Sequence, residues 1–379
     1  EAATGRSDAK YDSQKDIYAA VFKELTEAAA ALNSNKADQA AYKDNQDLIY
    51  NGDLKKWVRL ANSLRLRYAL RLVYVDPALA KQEGEAALAA TGGLLQSNDD
   101  NAGVYISGTG ANGWPLFQIS GWGEFCMSKT MENMLKTTSS VADPRMPLWF
   151  GHTNGSTAEN PEFKGIPNGL ATSDLSNYPA DDRSYVWGLQ AMPGWNSKNN
   201  SESSFCVPIR QKVMSYAEVC LLKAEAALRG WNGAGDAKAN YLAGIKASFE
   251  AERAMVSDAS LYSTANDNTY MTTGKVEWKG DADFETHLEQ IITQKWLALY
   301  PNGTEAWTEF RRTGYPKLTP VKVSMESTIN AANGEFVKKL RYVDDELREN
   351  PNASDKSLNG GKGDGMNVRV WWDAGNRYK

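Results

Sequence analysis

Apolar residues recur at steps of three and four through several long stretches of this chain, and elsewhere that spacing disappears. Between Tyr11 and Leu32, the positions Ile17, Val21, Phe22, Leu25, Ala28, Ala29 and Leu32 fall on one face of a helix. Ser13, with Asp16 three residues on, marks its start, and Asn33 suits its stop. A second helix follows Asn51-Gly52-Asp53, with Trp57, Leu60, Ala61, Leu64, Tyr68 and Leu72 as its stripe. Asp76 then reads as an N-cap and Pro77 as the first position of a third helix, which Gly92-Gly93 ends. So short a connection predicts an antiparallel hairpin.

The hairpin recurs downstream. Val213, Ala217, Cys220, Leu221, Ala224, Ala227 and Leu228 form one stripe that ends near Gly230. After Asn232-Gly233-Ala234-Gly235-Asp236 come Tyr241, Ile245 and Phe249 at helical spacing, and the small alanines of the first helix let the second approach closely. A last strong run holds Leu288, Ile291, Ile292, Trp296 and Leu299, and beyond the turn at Pro301-Asn302-Gly303 a short helix runs from Thr304 to Arg312, closed by Gly314. Helix pairs joined by short turns are the grammar of tetratricopeptide-like solenoids. No window holds the consensus tetratricopeptide pattern, so the expectation concerns architecture: a mainly α fold, with a helical scaffold over about 11–92, 210–252 and 284–314.

Two stretches break the period, at about 93–130 and 143–208. The first is rich in Gly and Asn, with Trp114, Phe117 and Trp122 among them. The second carries 7 of the 13 prolines together with Trp149, Trp187 and Trp195. Structureless connections of this length are usually functional or disordered, and disorder fits poorly with so many aromatics. Ordered surface loops dense in Trp, Tyr and Asn are the expectation.

Composition narrows the chemistry. With 379 residues and 42% of them hydrophobic, the chain can bury a large core or two moderate ones. Its 42 Lys+Arg against 47 Asp+Glu disfavour nucleic acid as a partner, and no apolar run approaches the roughly 20 residues of a membrane-spanning helix. There are 12 Trp and only 2 His, His152 and His287, in unrelated contexts, which disfavours Ser-His-Asp and zinc-His mechanisms. Cys126, Cys206 and Cys220 lack metal-ligand spacing; Cys220 reads as a core residue, and Cys126 with Cys206 could form a bridge in an exported chain.

Gly108-Thr109-Gly110-Ala111-Asn112-Gly113 has G-x-G-x-x-G spacing, but no strand pattern precedes it and Trp114-Pro115 follows where a helix should open. Asp344-Asp345-Glu346 and Asn359 to Asp364 read as solvated surface rather than cation loops, and Arg59, Arg67 and Arg71 as a basic edge whose stems cover apolar surface. No cofactor or metal is expected. The loop aromatics are the candidate ligand surface. In Ser184-Tyr185-Val186-Trp187 and Gly194-Trp195-Asn196 through Asn200, flat rings that can stack on a sugar stand beside polar groups that can bond its hydroxyls. The bland reading is that these rings pin the loops to the helices. Loop context nominates Trp114, Tyr185, Trp187 and Trp195 as ligand-binding residues.

Several stretches resemble a known family. Ala61-Asn62-Ser63-Leu64-Arg65-Leu66-Arg67-Tyr68-Ala69-Leu70-Arg71-Leu72 resembles an early helix of the SusD/RagB-like nutrient-binding lipoproteins of Bacteroidetes outer membranes. Ser215-Tyr216-Ala217-Glu218-Val219 through Glu225 to Trp231 is similar to another of its helices. So are Gln294-Lys295-Trp296, Tyr300 through Trp307, Arg311 to Pro316, and the closing Trp371-Trp372-Asp373. The resemblance implies a single helical domain over 1–379, without catalysis, which captures a glycan or other nutrient at the cell surface. It also implies delivery to a SusC-type TonB-dependent transporter and an N-terminal lipid anchor. The lipoprotein signal and lipidated Cys that would precede it are not in this sequence. Two other functions compete: a glycoside hydrolase of the helical-toroid type, needing a carboxylate pair, and a helical-repeat adaptor binding a protein or peptide.

Overall fold

The computed structural model describes residues 8–35, 46–106, 125–186, 209–256, 258–353, 359 and 361–379. Helices α1 (Gln14–Asn35), α2 (Leu54–Arg71) and α3 (Pro77–Leu88) lead to strand β1 (Ala102–Ile106). Helices α4 (Lys129–Thr137) and α5 (Met146–Trp149) precede strand β2 (Ile209–Met214). Then come α6 (Tyr216–Leu228), α7 (Ala237–Arg253), α8 (Asp267–Met271), α9 (Phe284–Ala298), α10 (Gly303–Thr313) and α11 (Asp344–Glu349). The fold is mainly α, as the periodicity predicts.

Polar side chains fix where the helices start. Asp53, Asp76, Asp236, Asp283 and Asn302 each accept a backbone N–H in the first turn of α2, α3, α7, α9 and α10. Such caps stabilise by about 1 kcal/mol each. Gly314, at φ 72°, closes α10 in the left-handed conformation that glycine favours. Two boundaries differ from the sequence reading. Helix α3 stops at Leu88, and Gly92 and Gly93, both with positive φ, shape the turn beyond it. Val213 belongs to β2, which pairs antiparallel with β1, so the sixth helix starts only at Tyr216. There Ser215 accepts the Glu218 N–H at 3.2 Å, a capping signal that overrides the apolar spacing upstream.

Helices α2 and α3 pack as one pair and α6 and α7 as another, with α2 also against α6, and α9 against α6, α7 and α10. The α6–α7 approach is close enough that a Cβ on Gly244 would fall 2.6 Å from Leu221 Cγ. Helix α6 is central. Val219, Leu222 and Ala226 face a core shared with Leu66, Leu70, Ala80 and Ala87, while Ala217, Leu221 and Ala224 face a second core with Tyr241, Ile245, Leu288 and Ile292. Being apolar on both sides, it buries nearly its whole surface.

The reading of Arg67 and Arg71 as a basic edge is corrected: they are only 6% and 5% exposed. Arg67 grips Glu218 with Nε–Oε1 2.7 Å and Nη2–Oε2 2.6 Å, and also donates to the Val213 carbonyl at 2.9 Å. Arg71 pairs with Glu305 and, at 3.5 Å, with Glu309. Arg312 reaches both Glu225 oxygens at 2.7 and 2.6 Å and Glu309 at 2.6 Å, and Lys295 lies 3.1 Å from Glu309. One buried lattice of charges therefore ties α2, α6, α9 and α10 together. Burial alone would raise the Glu309 carboxyl, but Arg312, Lys295 and Arg71 outweigh it and hold it well below the ordinary range. Glu225 is likewise lowered, against its burial, by Arg312 and Arg229. Arg59, the third member of the supposed edge, is half-buried and pairs with Asp100 at 3.0 Å.

Removing one member leaves the others charged and buried, so Arg312→Ala should destabilise by about 3–5 kcal/mol in urea unfolding; a loss under about 1 kcal/mol would show that the lattice is dispensable. Because the Glu309 and Glu225 carboxyls are depressed in the folded state, their contribution is full above the unfolded glutamate value of about 4.3 and is lost as pH falls through the folded values. Urea midpoints should therefore hold from neutrality to about pH 5 and fall below it, more steeply in the native protein than in a Glu309→Gln variant.

Candidate functional site

The long proline-rich stretch is built around four short extended pieces. Cys126 pairs antiparallel with Tyr185, Phe150 antiparallel with Val186, and Ser128 parallel with Ile166. The Met127 N–H donates to the Ser184 carbonyl at 2.7 Å, Gly151 N–H to Tyr185 at 3.0 Å, Ile166 N–H to Met127 at 3.0 Å and Ser184 N–H to Lys164 at 2.8 Å. Backbone polar groups thus find partners without a regular sheet. Beneath them Met127, Leu135, Leu148, Trp149, Phe150 and Leu297 form a third core.

A buried ion pair locks this region to the helices. Arg145 grips Asp143 at 2.9 and 2.6 Å, and donates to Ser248 on α7 at 3.0 Å and to Gln294 on α9 at 2.9 Å. Trp149, grouped with the loop tryptophans by its proline-rich surroundings, is 0% exposed. Its Nε1–H donates to Glu252 at 2.7 Å, and its ring lies 4.7 Å from that of Tyr300. It holds the scaffold and offers no face to a ligand.

Of the four nominated ligand residues, Tyr185 is described; Trp114, Trp187 and Trp195 lie outside the described residues. Tyr185 is half-buried, its backbone held by Cys126 on one side and Gly151 on the other. Ser184 is buried and Val186 packs on the third core, so by strand alternation Tyr185 presents its ring away from that core. The neighbouring Phe125 is 45% exposed. Cys126 is a free thiol, pushed up by its burial.

The positions of the loop ends matter most. Ile106, the last residue of β1, is the register partner of Ile209, the first of β2. At the second point Cys126 is paired with Tyr185. Segment 107–124 therefore starts at the first pair and ends at the second, and segment 187–208 starts at the second and ends at the first. Trp114, Trp122, Trp187 and Trp195 lie in the sequence between these two described pairs, outside the described residues. The residues that flank the two stretches are thus paired with each other, which periodicity could not reveal.

The remaining candidates have structural partners. His287 is buried and stacks on Trp278 at 4.1 Å, with Nε2 2.6 Å from the Lys279 carbonyl. His152 sits in an exposed turn, its Nδ1 2.9 Å from the Thr153 carbonyl. Asp345 pairs with Arg348, Asp364 with Lys339, and Glu346 with the Tyr11 hydroxyl. Among the described residues no helix is long and apolar enough to cross a membrane.

The sequence profile of the SusD-like family, described as SusD and RagB outer membrane lipoprotein, matches residues 1–373. The chain belongs to the SusD-like family. It is a member of a family of outer-membrane lipoproteins. Among solved structures it is similar to a chitin-binding SusD homologue from Flavobacterium johnsoniae, at 35% identity and a TM-score of 0.77, over 97% of this chain and 74% of that one. SusD homologues from Bacteroides vulgatus and Bacteroides thetaiotaomicron are each 30% identical, with TM-scores of 0.75 and 0.74 over 97% of this chain and 73% and 76% of theirs. No curated protein matches. The stretches that carry the SusD resemblance hold the buried charges: Arg67 and Arg71 in the first, Glu218 and Glu225 in the second, Lys295, Glu305 and Arg312 in the third.

Replacing Trp149 by Phe removes the indole donor and leaves the buried Glu252 one hydrogen bond short, so thermal or urea unfolding should show a loss of about 1–3 kcal/mol. A variant within about 0.5 kcal/mol of the native protein would contradict the scaffold role given to this tryptophan.

Proposed function

We propose that this SusD-like protein is a non-catalytic glycan-binding protein of the cell surface, which captures oligosaccharide and passes it to a SusC-type TonB-dependent transporter. The observation that carries the reading is the match to the SusD-like family over residues 1–373, with a chitin-binding SusD homologue among the similar structures. A sugar chain needs flat apolar faces and hydrogen-bonding groups set close together on a rigid support; the Trp-, Tyr- and Asn-rich stretches carry both residue types, and the residues that flank them are paired at Ile106–Ile209 and Cys126–Tyr185. That a relative 35% identical is a chitin-binding SusD homologue supports a glycan, and β-1,4-linked N-acetylglucosamine oligomers are the first probe. We assign Trp114, Tyr185, Trp187 and Trp195 as the ligand-binding residues, within one domain over 1–379.

Binding without cleavage is favoured by the state of the buried carboxylates. Glycoside hydrolysis needs a carboxylic acid kept protonated beside the scissile bond. Glu225 and Glu309 are held ionised by arginines inside the scaffold. The Asp373 carboxyl is raised by burial, but it is engaged as an acceptor by Arg369 and the Tyr378 hydroxyl.

Titration with an N-acetylglucosamine hexamer should quench or shift tryptophan fluorescence and release no new reducing ends. Trp187→Ala and Trp195→Ala should each weaken binding roughly tenfold. New reducing ends would overturn the non-catalytic assignment, and no binding across a glycan panel would overturn the ligand class. Failure to retain a SusC-type transporter in a pull-down that holds the glycan-competent protein would remove the partner.

A further inference from the structure

A groove of about 660 Å³ opens beside the woven segments. Its lining includes Tyr178, Pro179, Pro161, Phe163 and Met146. The other lining is charged in two separate sets. On α4, Glu132 accepts from Lys129 at 2.8 Å, from Lys136 at 3.1 Å and from the Gly165 N–H at 2.9 Å, and Lys136 also donates to the Phe163 carbonyl. In the second set Lys164 lies 3.0 Å from Glu162 and 3.5 Å from Asp182. Three ammonium groups face three carboxylates, so the groove has no net charge to recruit an ion.

The two sets differ in what they leave available. Glu132 is buried and fully engaged, so it fixes Lys129 and Lys136 in place. Burial would raise its carboxyl, but these donors more than offset that and keep it ionised. Lys164, Glu162 and Asp182 are exposed, and ion pairs of that kind are worth little against water. Exchanging them for hydroxyl groups is therefore cheap. A half-buried aromatic residue beside prolines, with exposed donors and acceptors in the same groove, matches a neutral polyhydroxylated ring better than an ion or a purely apolar guest.

Position adds the second argument. Lys129 is three residues beyond Cys126 on one piece, and Asp182 three residues before Tyr185 on the other, and Cys126 and Tyr185 are the anchor pair. At a strand rise of about 3.3 Å per residue the groove begins roughly 10 Å from that anchor. A chain of several sugars reaches from one to the other.

We propose that this groove is a second carbohydrate subsite, in which Tyr178 stacks on a sugar ring while Lys164, Asp182 and Glu162 bond its hydroxyls, holding the part of a longer oligosaccharide that extends beyond the loops. The subsite rests on the glycan-binding reading above and extends it to ligand length. It makes the protein selective for longer chains, because short ones fill the loop region alone.

Affinities of the native protein and of the Tyr178→Ala, Tyr178→Phe and Lys164→Ala variants for an N-acetylglucosamine dimer and hexamer, with circular dichroism to confirm folding, test this. The native protein should bind the hexamer more tightly than the dimer. Tyr178→Ala should lower hexamer affinity roughly five- to tenfold and dimer affinity by less than twofold, with Tyr178→Phe retaining the native preference. Equal hexamer binding by native and Tyr178→Ala proteins would overturn the subsite while leaving glycan binding intact. Equal loss for dimer and hexamer would also overturn it, since Tyr178 would then act through the fold. Failure of the native protein to bind any oligomer would remove the subsite together with the reading beneath it.

Discussion

Four helices from three distant parts of the chain share one set of buried charges, and the rest of the molecule is arranged around that constraint. Arg67 and Arg71 on α2, Glu218 and Glu225 on α6, Lys295 on α9, and Glu305, Glu309 and Arg312 on α10 form a connected lattice with almost no access to water. Hydrophobic contact tolerates sliding by a fraction of a turn, whereas bidentate Arg–Glu pairs at 2.6–2.7 Å do not. Such pairs are costly to desolvate and add little net stability over an apolar filling. Their contribution here is to register: each helix has one position relative to the others at which these ion pairs form together.

That division of labour explains how the scaffold and the loops coexist. The helices carry geometry in their charges, so the segments between β1 and α4 and between α5 and β2 are free to carry composition. The ends of those segments are nevertheless tightly held. Ile106 is matched to Ile209 and Cys126 to Tyr185, and the Asp143–Arg145 pair fastens the woven region to α7 and α9. A ligand surface on loops needs such a support, because ordering loosely held aromatics on binding would cost affinity.

How much of this was legible in the sequence depends on the range of each interaction. Helix faces and most caps are local, and Asp53, Asp76 and Asp236 announce their helices within four residues. The charge lattice is not local: Arg67 and Glu218 are 151 residues apart, so on its own Arg67 reads as an exposed cation. The same holds for Trp149, whose proline-rich surroundings suggest a loop and whose partner Glu252 lies 103 residues away. The β1–β2 pair was hidden because strands of five and six residues separated by about a hundred residues leave no period to count. The family resemblance supplied the lattice residues without their role. For the ligand surface, the aromatics stood out by composition, but the pairing of the residues that flank them, Ile106 with Ile209 and Cys126 with Tyr185, required the strand register.

Hydrogen exchange measured along the whole chain with and without an N-acetylglucosamine hexamer tests most directly whether an ion-locked scaffold presents a loop-borne glycan site. Protection should rise in segments 107–124 and 187–208 and around Tyr185, with no change in α2, α6, α9 and α10. A rise in the four lattice helices without one in the two loop segments would place the ligand in the scaffold and contradict the account.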